Sequence, residues 1–206
     1  MTDRRAEQTA VVDQGPRGTC AACAVTSAHE WASRREALSV EDAFYSGKRR
    51  DPWPQQDCTS VDHVVCGITE DRHALESAWP YGNPGYPGPP PPESLEDANR
   101  RPLAGTWSVG SVGDVLGAVE SHCAVMTLAF VPSAWERHDG IVDVGTEPAQ
   151  DAHAVLAVGC DVRNGEDVVI IKNSWGTDWG DGGYGYVTTG YLRQHLLAVH
   201  FVERAA

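Results

Sequence analysis

The apolar positions divide the chain near its middle. From Ala21 to Leu38 there is no glycine or proline, and Val25, Ala28, Ala32 and Leu38 recur with Trp31 between them. That spacing predicts a largely buried helix with Thr19 as its N-cap. A second helical stretch is expected from Ser60 to Thr69, with Val61, Val64 and Val65 on one side, and only short turns around Val40 to Tyr45. The run "PYGNPGYPGPPPP" (80–92) suits neither a helix nor an interior strand and reads as a stiff surface crossover.

Beyond it the pattern changes. After a short helix near Val112 to Ser121 come "CAVMTLAF" (123–130), "AVLAVGC" (154–160), "DVVIIKN" (167–173), "YGYVTT" (184–189) and "AVHFVE" (198–203). These short runs, rich in β-branched residues and bounded by turn signals, predict an antiparallel sheet or barrel. A helical half followed by a β half gives an α+β fold with a cleft between the two. The boundaries expected are 10–104 for the helical domain and 105–206 for the β domain, with residues 1–9 as an arm packed on the latter.

Charge narrows the partners. A net charge of −13 repels nucleic acid and anionic lipid, so neither is an expected partner. No apolar stretch is long enough for a membrane span, and "MTDRRAEQTA" lacks the apolar core of a secretory signal, so a cytoplasmic location is expected. Of 16 basic residues only Lys48 and Lys172 are lysines, a bias that points to a bacterial coding sequence. Six cysteines scattered through such a chain read as thiols rather than a disulfide framework.

The candidate chemistry begins at "DQGPRGTCAAC" (13–23). Cys20 and Cys23 have C-x-x-C spacing, but no second close Cys or His pair follows, His195 and His200 read as ordinary residues, and no metal or cofactor is expected. Cys20 instead stands at the start of a helix, His153 at the entry to a strand and Asn173 at the end of another. A thiol becomes a nucleophile as its thiolate, which a helix N-terminus and an imidazolium both favour. The histidine serves as the proton partner, and an asparagine oxygen fixes its ring. Gln14, six residues before Cys20, pairs with the Cys20 backbone N–H as a two-donor oxyanion hole.

"DQGPRGTCAACAV", "DAHAVLAVGC" and "IIKNSWGTDWGDGGYGYV" together resemble the papain-like cysteine peptidases, with "ESAWPYG" (76–82) and "LSVED" (38–42) as weaker echoes. His153 and Asn173 lie 133 and 153 residues past Cys20, as that family requires. The resemblance implies two domains, one helical and one an antiparallel β-barrel, flanking the active-site cleft. It implies hydrolysis of peptide bonds through a thioester, with Cys20 as nucleophile, His153 as proton partner, Asn173 as orienter and Gln14 in the oxyanion hole. Trp175 would cover the His153–Asn173 hydrogen bond and Trp179 would line the leaving-group side. Ala152 would help form the second subsite, and Ser60 and Val61 would stand where the family pairs substrate backbone at a Gly-Gly edge.

There are departures. Arg17 replaces a half-cystine whose partner Cys58 would be; Ala21 replaces a tryptophan, and Cys23 an aromatic. Only thirteen residues precede Gln14, against the family's inhibitory pro-segment, so restraint by a separate inhibitor or regulatory protein, or a narrow peptide or protein substrate, is expected. Acyl transfer from the same thioester (transpeptidase, cyclase or amidase) and a noncatalytic binding module remain as alternatives.

Overall fold

The computed structural model describes residues 1–33, 36–53, 55–71, 73–82, 90–96, 103, 106–107, 111–137 and 139–202. The Pro-rich crossover falls largely outside them.

Helix α1 (Cys20–Ala32) is buried at every position from Ala21 to Ala32, so it forms the spine of the helical half. It stops short of Leu38 because the Ser33 hydroxyl and backbone N–H both turn back to the His29 carbonyl. Thr19 is its N-cap residue, but the threonine hydroxyl makes no capping bond; it pairs with the Tyr81 hydroxyl at 2.7 Å. Where only turns were expected there is a full helix, α2 (Val40–Lys48). It escapes an apolar-periodicity reading because Glu41, Asp42, Ser46 and Lys48 are buried alongside its apolar residues. Ser39 caps it, accepting from the Asp42 N–H, and Glu41 and Asp42 lie in its first turn where the helix dipole favours them. Helix α3 (Val61–Glu70), capped by Ser60, crosses α2 closely: a Cβ on Gly67 would sit 2.7 Å from the Ser46 carbonyl carbon. A short helix α4 (Pro92–Leu95) follows.

The second half is a sheet of eight strands. With β1 (Thr2–Asp3) set aside, its order is β2 (Thr106–Trp107), β8 (Leu196–Val202), β3 (Ala124–Phe130), β5 (Asp151–Arg163), β6 (Glu166–Lys172), β7 (Tyr184–Thr188) and β4 (Ile141–Val142). All pairings are antiparallel except β4 with β7. Strand β5, far longer than the apolar run suggests, is buried on both faces. Ala154, Leu156 and Val158 join the core shared with α1, while Val155 and Ala157 join a second core with α5 (Val112–Val119), α6 (Pro132–Trp135) and α7 (Thr189–His195). Two buried faces explain the unbroken apolar run in the sequence.

The N-terminal residues pair with the sheet half. Strand β1 lies on β5, with Asp3 opposite Gly159, and the Arg4 guanidinium donates to the Val119 carbonyl at 2.7 Å and to that of Glu120. A Cβ at Gly159 would fall 2.0 Å from the Thr2 carbonyl oxygen, so only glycine admits the strand there.

Candidate active site

The loop before Cys20 is fixed by partners on both halves. The Gln14 N–H donates to the Ser174 carbonyl at 2.8 Å, and the Ser174 hydroxyl donates to Gln14 Oε1 at 2.6 Å. Gln14 Nε2 gives one hydrogen to the Arg17 carbonyl at 2.7 Å, which leaves its second hydrogen uncommitted. The Tyr81 hydroxyl donates to the Gln14 carbonyl at 3.0 Å. Gly18 bridges Cys58, and a Cβ on it would lie 2.0 Å from the Asp57 carbonyl oxygen.

No disulfide holds this loop; all six cysteines are free. Arg17 turns to both oxygens of the fully buried Glu41 carboxylate and lies over the rings of Phe44 and Tyr81, 5.5 and 5.2 Å from their centroids. Lys48, also fully buried, donates to Asp51 Oδ2 (3.0 Å), the Trp53 carbonyl (2.9 Å) and the Cys58 carbonyl (2.9 Å). These three bonds use every donor of the ammonium and pin the Cys58 loop.

On the sheet half, His153 lies on β5 opposite Leu128 of β3. Its Nε2 donates to Asn173 Oδ1 at 2.8 Å, and the same oxygen accepts the Ser174 N–H at 2.8 Å. That acceptor sets the tautomer and leaves Nδ1 as the second ring nitrogen. The Trp175 ring lies 5.0 Å from the imidazole, tilted against it. Two further rings were not foreseen: Trp135, edge-on at 5.0 Å, and Phe130 at 6.2 Å. Trp135 is itself held by Tyr191, whose hydroxyl accepts its Nε1–H at 2.9 Å and donates to the Ala129 carbonyl at 2.5 Å. Trp179 packs on Trp135 and Trp175 and donates its Nε1–H to the Trp135 carbonyl at 2.9 Å.

Burial pushes the Cys20 thiol up, while the Ala154 and Ala21 N–H groups pull it down in the direction expected of a helix N-terminus. Cys20 and Ala154, the residue after His153 on β5, line the same cavity. Burial also pushes His153 down to about 4, opposed by Asn173. Burial therefore favours the neutral form of both groups. Cys23, buried and pushed up to about 12 by that burial, donates to the Thr19 hydroxyl.

Cys20, Ala152, Ser60 and Val61 all line a cavity of about 420 Å³, and His200, which had read as ordinary, lines it too. Trp179 is not among its lining residues. Ser60 turns its hydroxyl back to His63, 3.0 Å from Nδ1.

The cysteine protease of Carica candamarcensis, solved with E-64, superposes with a TM-score of 0.78 at 19% identity, covering 100% of this chain and 98% of that one. The fold is papain-like. Xylellain, a cysteine protease from Xylella fastidiosa, gives a TM-score of 0.80 at 20% identity over 100% of this chain and 91% of its own. Residues 114–199 of this chain match the model described as papain family cysteine protease. A cysteine protease of Blomia tropicalis is 38% identical over 81 residues, and oryzain gamma chain of Oryza sativa 62% identical over 40. Those alignments take in 38% and 19% of this chain, and 24% and 11% of the relatives' own lengths.

Within the papain-like frame, the supporting residues that sequence reasoning missed are of two kinds. Trp135 and Lys48 lie outside the quoted motifs and reach the site through tertiary contacts, as does Tyr191 just past the "YGYV" end, while Tyr81 stands inside the weaker echo "ESAWPYG". Ser174 likewise stands inside "NSWG", and its neighbour Asn173 marked the place.

Proposed function

We propose that this chain is a thiol peptidase that cleaves peptide bonds through a Cys20 thioester. The observation that carries the reading is the 2.8 Å bond from His153 Nε2 to Asn173 Oδ1, buried under Trp175 with Nδ1 left for the thiol. In that reaction the Cys20 proton passes to Nδ1 and the thiolate attacks the substrate carbonyl carbon. The oxyanion meets the Cys20 backbone N–H, which as the first of a helix has no intrahelical acceptor, and the second Nε2 hydrogen of Gln14. The imidazolium returns its proton to the leaving amine, and water, deprotonated by the neutral imidazole, hydrolyses the thioester. The ring keeps its tautomer throughout because Asn173 holds the other nitrogen, and the aromatic cover keeps water from competing for that bond.

Two measurements test this. E-64 is expected to form a covalent adduct at Cys20, located by peptide mass spectrometry, and Cys20→Ala to lower peptide turnover by about 10⁴-fold or more. Unchanged turnover in Cys20→Ala would sink the proposal. With His153 pushed down to about 4, the acid limb of kcat/KM is expected near that pH rather than near 6.5.

A further inference from the structure

The cavity beside Cys20 is walled by both halves of the molecule, and its chemistry is lopsided. On the sheet side Thr127 faces Ala198 across the β3–β8 pairing, and His200 lies two residues farther along β8 on the same face. On the helical side is Asp62 of α3, its Oδ1 3.5 Å from His200 Nε2, so the pair spans the gap between the halves. Three aspartates line the cavity, Asp51, Asp62 and Asp151, and no lysine or arginine is among its described lining residues.

Their charges are not equally available. Asp51 is committed, one oxygen to the Lys48 ammonium at 3.0 Å and the other to the Trp53 N–H at 2.8 Å. Asp151 gives one oxygen to the Ala152 N–H at 2.7 Å, an uncharged donor that leaves its negative charge in place. Asp62 is 78% exposed, and among the described residues its ion-pair partner is His200, which carries charge only when protonated. The walls between these groups are uncharged, Ala152, Ala154, Ala198 and Thr127, and suit the aliphatic stem of a long side chain. An apolar side chain would pack on these walls but would leave the carboxylates beside it without a partner. A cationic one would meet two uncompensated carboxylates in a chain whose net charge is −13, a field that also steers it inward.

We infer that this cavity selects a lysine or arginine side chain of a peptide substrate, with Asp62 and Asp151 as the specificity-determining residues. The inference rests on the peptidase reading above.

The test is a set of fluorogenic peptides identical except for arginine, lysine, leucine or glutamate at the residues preceding the cleaved bond, assayed with wild type and with Asp62→Asn, Asp151→Asn and the double variant. The arginine and lysine peptides are expected to exceed leucine in kcat/KM by about tenfold. That ratio is expected to fall in each single variant, to collapse in the double variant, and to shrink in 0.5 M NaCl as exposed charges are screened. Leucine cleaved as fast as arginine by wild type, or a ratio the double variant leaves untouched, would overturn the inference while the peptidase reading stands. No cleavage of any peptide together with no E-64 adduct at Cys20 would instead overturn the peptidase reading itself.

Discussion

The two sides of the candidate site are built from opposite materials. On the helical half the residues that hold Cys20 and its neighbouring loop are buried ions: Arg17 on Glu41, and Lys48 on Asp51 and two carbonyls. On the sheet half His153 is held by bulk, with Trp135 and Trp175 each 5.0 Å from its ring and Tyr191 behind Trp135. Buried ions fail when a partner is removed even if volume is kept, because an uncompensated charge stays behind. Packed rings fail when volume is lost but tolerate a change of polarity. One site therefore has two kinds of fragility, separable by choosing substitutions that change only charge or only volume.

The largest effects should come from the matching substitution on each side. Trp135→Ala is expected to cost about 3–5 kcal/mol in denaturant unfolding and to lower kcat, since His153 loses a wall. Lys48→Met, which keeps the length of the side chain, is expected to cost about 3–5 kcal/mol by stranding the Asp51 carboxylate and two carbonyls. A loss below about 1 kcal/mol there would mean that the ammonium is not what pins the Cys58 loop.

A smaller effect belongs to His153 alone. Its folded value of about 4 lies below the ordinary 6.5, so between those pH values the unfolded chain binds a proton the folded one refuses. Stability is thus expected to fall as pH drops from 6.5 to 4, by up to about 3 kcal/mol from this residue. Subtracting the pH–stability curve of His153→Gln isolates this contribution from Glu30 and Glu76, which burial pushes up and which act with the opposite sign.

The crossed substitution comes next. Trp135→Phe, which keeps an aromatic ring and loses the bond to Tyr191, is expected to cost about 1 kcal/mol. A loss as large as that of Trp135→Ala would erase the distinction between the two sides. The smallest effect is that of reductant: with all six cysteines free, dithiothreitol should leave the melting temperature within about 1 °C.

The same contrast explains what could be read in advance. Strands β3, β5, β6, β7 and β8 and helices α1, α3 and α5 were legible because their apolar residues follow the period of the element or form runs bounded by turns. Helix α2 was not, because its buried face carries Glu41, Asp42, Ser46 and Lys48, whose partners lie in other segments. Likewise Gln14, Cys20, His153 and Asn173 declared themselves through local motifs, whereas Trp135 and His200 had no local signal at all.

The sequence by itself determined the periodicity that makes the elements and the order of the four polar groups at the candidate site, because both are properties of neighbouring residues. Tertiary structure alone decided which charges are neutralised and which rings enclose the imidazole. It also decided whether the thiol gains from its helix or loses to its burial. Those outcomes depend on distances between residues up to 160 positions apart, such as Gln14 and Ser174, and on how much water each pair keeps. In "DQGPRGTCAAC" the two cysteines look alike; only the packing makes Cys23 an inert core residue and sets Cys20 on a 420 Å³ cavity.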